Sequence, residues 1–416
     1  MKTTFFLLFC LMVVQLIGVC PALSGGVEEF ELVESVPVET TLDNENIRNT
    51  HEVWLEMIEG ADSTLDLEQF YVSVVPGEPM EDVLGAIVSA AERGVRVRLI
   101  ADGSMYATYP DRVDWLGKQN GIEVRTIEFR RMCGGVMHAK YFVVDKEEVF
   151  LGSQNFDWRA IKHIHEMGCR VRSKELAEVF GDLFELDWKL AEDKTRETCA
   201  VGAALVQYKI PLRGFVGIAQ GAGGYLRDSI EIWPVYSPTG LIPDERLWDE
   251  KSIVSLIEGA REEVLIQLLS YSSLHDDDYY EVLENAVRSA AARGVSVKML
   301  LSDWAKRRPS IDCLKSLQVF PGVEVKLSTI PEWSGGFVPY ARVEHCKYMV
   351  VDGEIFWIGS SNWNKSYFYE CRNVGLVVRS EAAGKMLRDV FQKSWNSEYA
   401  YLVKPEKSYV PPKTEE

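Results

Sequence analysis

At 416 residues and 47% apolar content, the chain is long enough to bury two lobes or domains and too apolar to be a disordered polyelectrolyte. Its formal net charge of −18 excludes a surface that binds nucleic acid everywhere. It leaves room for a local basic cleft, because binding follows the distribution of charge.

Residues 1–24 predict a secretory signal: Lys2 is the basic start, residues 5–19 form an apolar run, and Ala22 and Ser24 give the small residues of a cleavage site. The run is short for a membrane span of about 20 residues, and an uncleaved membrane anchor is the alternative. The expected location is therefore exported: secreted, periplasmic or lumenal. Cys10 and Cys20 belong to this signal. Cys133, Cys169, Cys199, Cys313, Cys346 and Cys371 permit up to three disulfides, with buried free thiols as the alternative. None stands in a CxxC pair, which argues against structural zinc.

Residues 25–45 are acidic without a clear period and read as an extended arm. A first repeat then covers 46–194. It predicts a strand over 65–71, a helix over 80–93 closed by Gly94, and a strand over 95–101. Residues 195–245, rich in Gly and Pro, read as a connector with loops. The order then returns in a second repeat over 246–405, with a strand at 263–271, a helix at 282–293 closed by Gly294, and a strand at 295–301. AERGVRVRLI at 91–100 matches AARGVSVKML at 291–300, and Phe184 and Trp188 match Phe391 and Trp395. Residues 406–416 form a tail. The fold class is α/β: two duplicated lobes, each a mixed sheet flanked by helices, sharing one active site at their interface.

HAKYFVVD at 138–145 and HCKYMVVD at 345–352 are the same His-x-Lys-x4-Asp pattern, 207 residues apart. GSQN at 152–155 and GSSN at 359–362 follow at equal distance. His138 and Lys140 are two apart on a predicted strand and face one pocket; His345 and Lys347 repeat this. Asp145 and Asp352 fall on the opposite parity, so they support the strand end or the turn after it. Cleaving a phosphodiester needs a nucleophile, a proton donor for the leaving oxygen, and positive charge around the phosphoryl oxygens. The histidines divide the first two roles, Lys140 and Lys347 supply the charge, and Asn155 and Asn362 donate hydrogen bonds. Ser153 and Ser360 are candidate substrate-binding residues. Glu166 and Glu370, each downstream of a GSxN turn, are candidates to fix an imidazole tautomer. No cofactor and no metal is required; His163 and His165 form an H-x-H with no evident third ligand. Arg130 and Arg131, with Lys306, Arg307 and Arg308, lie in loops that either border the pocket or form a solvated face. Tyr71 and Tyr271 occupy equivalent strand ends, where core packing is favoured over stacking on a base.

These paired motifs resemble the HKD motifs of the phospholipase D superfamily over most of residues 45–405. The strings GGVMHAKYFVVD, LGSQNFDWR, VPYARVEHCKYMV and IGSSNWNKSYFYE are similar to the vertebrate lysosomal phospholipase-D-like 5′-exonucleases of that superfamily. The resemblance implies two facing α/β lobes, a phosphohistidine intermediate, His138 as nucleophile and His345 as general acid. It implies single-stranded DNA or RNA as substrate. The alternative is a phospholipase D or transphosphatidylase with possible membrane-surface contact, for which Trp333, Phe337, Trp363 and Phe368 would form an apolar rim. A non-catalytic binding protein on the same fold is a third reading, opposed by the intact histidines.

Overall fold

The computed structural model describes residues 26–193, 208–221, 224–275 and 278–415. The expected signal and Cys199 lie outside them. The chain opens with β1 (Glu29–Ser35). The first repeat runs α1 (Thr50–Glu59), β2 (Thr64–Gln69), α2 (Met80–Glu92), β3 (Arg96–Asp102), β4 (Ile122–Ile127), β5 (Lys140–Val144), β6 (Glu148–Gly152), β7 (Ile164–Arg172) and α3 (Lys174–Leu190). A hairpin of β8 (Leu212–Gln220) and β9 (Gly224–Ser237) follows. The second repeat is α4 (Asp249–Gly259), β10 (Glu263–Leu268), α5 (Val282–Ala292), β11 (Ser296–Ser302), β12 (Val323–Ser328), β13 (Tyr348–Val351), β14 (Ile355–Gly359), β15 (Asn373–Arg379) and α6 (Glu381–Asn396).

Local chemistry explains why the repeats match. Helices α2 and α5 end at Gly94 (φ 99°) and Gly294 (φ 96°), where positive φ lets the chain turn straight into a strand. The amides of Val95 and Val295 close each end on the carbonyls of Ala90 and Ala290, both at 3.1 Å. Arg93 and Arg293, the Arg of each A-x-R-G, donate to the last carbonyls of α1 and α4. Each motif strand is buried on both faces, as its unbroken apolar run requires.

The strands form one continuous mixed sheet in the order β12-β11-β10-β13-β14-β15-β9-β8-β1-β7-β6-β5-β2-β3-β4. Two expectations are corrected here. The acidic arm is not a peripheral extension: β1 is a buried strand between β7 and β8, with Phe30, Leu32 and Val33 in the core. The connector is not mainly loops: its described part is a long hairpin that pairs with β15 and carries the sheet from one repeat to the other. A second link is direct, Ile164 and His165 pairing in parallel with Val343 and Glu344.

Candidate active site

The two motifs meet where the repeats cross. The His138 amide donates to the Arg372 carbonyl (2.8 Å), and the His345 amide donates to the His165 carbonyl (2.9 Å). Each motif histidine is thus hung on the other repeat, one residue before the group that holds its ring. His345 Nδ1 lies 2.7 Å from Glu166 Oε2, and His138 Nδ1 lies 3.1 Å from Asn373 Oδ1. Lys140 and Lys347 donate to the carbonyls of His138 and His345, both at 2.8 Å. Both lysines are fully buried, whereas His138 and His345 keep 5% and 8% exposure, so the imidazoles are what a substrate meets first.

Burial, then Lys140 and Lys347, hold the His138 imidazole well below the usual histidine range. Burial, then Lys347 and Lys140, do the same to His345. Burial lowers Lys140 strongly, helped by Lys347, and brings Lys347 down to about 8 against the pull of Glu166. Burial raises the Glu166 carboxyl, and Lys347 opposes this. A bound phosphodiester anion offsets the crowding of the two ammonium groups.

Asn155 and Asn362 sit buried at the GSxN turns, and among the described residues neither Oδ1 has a hydrogen-bonding partner. Ser153 and Ser360 are corrected: both hydroxyls are buried in sheet contacts, Ser153 with the Met167 backbone and Ser360 with Val374 and Asn373 Oδ1. They brace the strands that carry Glu166 and Asn373 and do not face a substrate. Glu370 is also corrected. Its carboxylate lies beside Gly134, at the end of the helix Lys365–Tyr369, while Asn373 occupies the position on His138. Adding the motif offset of 207 to 166 gives 373, so the register contained the answer; residue type, carboxylate against amide, concealed it.

Asp145 and Asp352 take left-handed φ values of 53° and 52° after β5 and β13. Their carboxylates accept the amides of residues 62–64 and 261–263. His163 and His165 diverge. The first packs between Trp158 and Trp333, and the second sits 2.5 Å from Glu344. Tyr271 is buried, while Tyr71 bonds to Asp157 at 2.6 Å and stacks on Tyr109. Three disulfides are ruled out, because Cys169, Cys313, Cys346 and Cys371 are buried free thiols. Cys133 is disulfide-bonded. Among those residues no helix is long and apolar enough to cross a membrane.

The family described as cardiolipin synthase, PLD-like domain, matches residues 54–188 and again 253–395. A probable phospholipase D of Caenorhabditis elegans is 31% identical over 396 residues, covering 89% of this chain and 70% of its own. Phospholipase D Z of Dictyostelium discoideum is 28% identical, with 91% of each chain covered. The 5′-3′ exonuclease PLD3 of Rattus norvegicus is 30% identical, covering 90% of this chain and 80% of its own. Among solved structures, phosphatidylserine synthase of Haemophilus influenzae shares the fold with a TM-score of 0.59 at 13% identity over 85% of both chains. With paired motifs, duplicated repeats and a shared site between them, this chain belongs to the phospholipase D superfamily of phosphodiesterases.

Proposed function

We propose that the chain is a metal-independent nuclease that cleaves single-stranded DNA or RNA through a phosphohistidine intermediate. One imidazole attacks phosphorus and the other protonates the leaving oxygen. Lys140 and Lys347 neutralise the phosphoryl oxygens, and Asn155 and Asn362 donate to them.

The wall beside His138 carries the choice of substrate. Phe70 lies 4.8 Å from the imidazole, Tyr71 lies 5.5 Å from Phe70, and Tyr109 stacks on Tyr71 at 5.0 Å. Arg159 reaches the Tyr109 hydroxyl at 3.5 Å and stands 5.9 Å from the Tyr340 ring of the second repeat; Trp304 is 6.4 Å from Tyr340. Rings leading away from the reacting imidazole suit unpaired bases, whose stacking contributes about 1–3 kcal/mol each. The apolar rim a lipid needs is poorer than the sequence suggested, because Trp363 and Phe368 are fully buried in the core. Similarity to a protein named as an exonuclease supports the same reading, although other relatives are named phospholipase D. The basic, apolar leader supports an exported location, as does the Cys133 disulfide.

Incubation with 5′-labelled single-stranded oligonucleotide in EDTA is expected to give products that vanish in His138→Ala. Head-group release from phosphatidylglycerol vesicles, with no oligonucleotide product from pH 4 to 8, would move the enzyme to the phospholipases. Oligonucleotide binding without turnover, unchanged by His138→Ala, would make it a binding protein.

A further inference from the structure

The two halves of the site differ in the group that backs each imidazole, at the equivalent positions 166 and 373. We infer that this difference divides the histidines: His345, backed by Glu166, is the nucleophile, and His138, backed by Asn373, is the general acid and base. The inference rests on the phosphohistidine reading and reverses the order implied by resemblance. It adds Asn373 to the site as a positioning residue.

The orientation of Asn373 is fixed. Its Nδ2 donates to the Tyr367 carbonyl (2.8 Å) and to Ser237 Oγ (3.2 Å), which leaves Oδ1 for His138 Nδ1 and the Ser360 hydroxyl, both at 3.1 Å. An amide oxygen only accepts, so His138 carries its proton on Nδ1 and keeps Nε2 for the reaction; Glu166 as a carboxylate sets the same tautomer on His345. The backing groups differ in charge, not in placement. The ring of His138 is further held by Phe70 at 4.8 Å and Tyr367 at 5.0 Å. The charged and titratable groups around the pair are Lys140, Lys347, Glu166, the other imidazole and Tyr367, with Asp157 acting on Glu166.

An attacking imidazole becomes a cation, because its Nδ1 proton stays while Nε2 bonds to phosphorus. With two lysines within electrostatic range, that cation needs a counter-charge. Glu166, 2.7 Å from His345 Nδ1, provides one: burial raises its carboxyl, but Lys347, Lys140 and the forming imidazolium all favour the carboxylate, whereas the Asn373 oxygen, shared with Ser360, carries no net charge. A general acid has the opposite requirement. It must release its proton, and a carboxylate partner holds the imidazolium more tightly than an amide does. The reverse assignment would place the covalent cation where no carboxylate backs it and the acid where its proton is bound most firmly.

In the first step His138 acts as the imidazolium, its second proton held on Nε2 by the bound phosphodiester anion, and the His345 Nε2 lone pair forms the P–N bond. The P–O bond to the leaving alcohol breaks, and that oxygen takes the proton from His138 Nε2. In the second, water gives a proton to His138 Nε2 and forms a P–O bond as the P–N bond returns its pair to His345. No oxidant, reductant or co-reactant beyond water is used.

Bis(p-nitrophenyl) phosphate tests the assignment without depending on the natural substrate, since nitrophenolate leaves without an acid. His138→Ala is expected to give a stoichiometric nitrophenolate burst and an acid-labile adduct mapped by mass spectrometry to residue 345. Wild type quenched during turnover should carry its adduct at the same position, and His345→Ala should give neither burst nor adduct. An adduct on residue 138, in wild type or in His345→Ala, overturns the assignment alone. No adduct in any protein removes the covalent mechanism and the assignment with it. Asn373→Asp separates positioning from packing. It should move to higher pH the limb that His138 deprotonation sets in the rate profile, distinct from the Lys347 break, because the carboxylate raises the His138 imidazole; a lower rate with that limb unmoved would reduce Asn373 to a structural role. Glu166→Gln should slow adduct formation by up to ~10⁴-fold, the loss on replacing the carboxylate behind a catalytic histidine by an amide.

Discussion

Beside Lys140 and His138, which burial also lowers, Lys347 is one of the buried groups whose ionisation shapes the pH profile of the free enzyme. Burial brings its pKa from the usual lysine range to about 8, so it is charged at neutral pH and loses its proton as pH rises past 8. Since kcat/KM reports free-enzyme groups, it should fall about tenfold per pH unit above 8. The limb in kcat should lie higher, because a bound phosphodiester keeps the ammonium protonated. Lys347→Met should lower kcat/KM by ~10²–10³-fold, the cost of removing one electrostatic stabiliser of the transition state. It should also abolish the limb; a residual rate with the same break near 8 would assign the titration elsewhere. This lysine was legible from the His-x-Lys spacing, because two residues apart on a strand means one face. The partner of His138 was not. The nearest carboxylate in sequence, Glu370, lies three residues from the position that counts, and an amide can hold the same tautomer without charge.

At the scale of elements, the aspartates of the two motifs are turn residues. Each follows its strand in the left-handed region and ties that strand's end to the start of its sheet neighbour, β5 to β2 and β13 to β10, through backbone amides. Replacing Asp145 or Asp352 by Ala removes these bonds and places a β-carbon at positive φ without the local hydrogen bonding that makes Asp tolerable there. Each change should cost about 1–3 kcal/mol, judged from charge-assisted hydrogen bonds to backbone. Thermal melts should show a loss of several degrees for both variants, with kcat measured well below the melt unchanged; a loss of kcat with no change in melting temperature would put the aspartates in the chemistry. The repeats were readable because helix-ending glycines, apolar runs and motif spacing agree in both copies. Strand β1 was not. Its glutamates suggested a solvated arm, but Glu31 faces Arg48 and Arg170 while Glu34 accepts two bonds from Asn44, so a buried strand carries satisfied acids. The hairpin β8–β9 was hidden by Gly and Pro within its strands and at its turn, among them Gly214, Gly217, Gly221 and Pro234, residue types that ordinarily mark loops.

Across the whole molecule, β1 is the piece that closes two half-sheets into one, and Glu34 sits where three segments meet. It is fully buried on β1 beside His165 of the first repeat, which itself pairs with Glu344 of the second; Gln267 donates to Glu344 at 2.7 Å. Burial raises the Glu34 carboxyl to about 7, against the pull of His165 and Asn44. The sign follows from linkage. Because the folded pKa lies above the unfolded value of 4.5, the fold binds this proton more tightly. The resulting stability is fully present below about 4.5 and is lost as pH rises through about 7. Other buried groups act in both directions, since His163 is lowered to about 4 while Asp102 is raised to about 6, so the total pH dependence does not isolate Glu34. The difference between wild type and Glu34→Gln does. The variant should carry a pH-independent penalty, because both Glu34 oxygens accept from Asn44 and an amide supplies only one acceptor. On top of that offset, its melting temperature should gain steadily on wild type between pH 5 and 8, as only wild type must ionise a buried acid. Parallel melting curves across that range would mean that Glu34 does not titrate there, and that the junction of the two repeats stays equally firm in acid and at neutral pH.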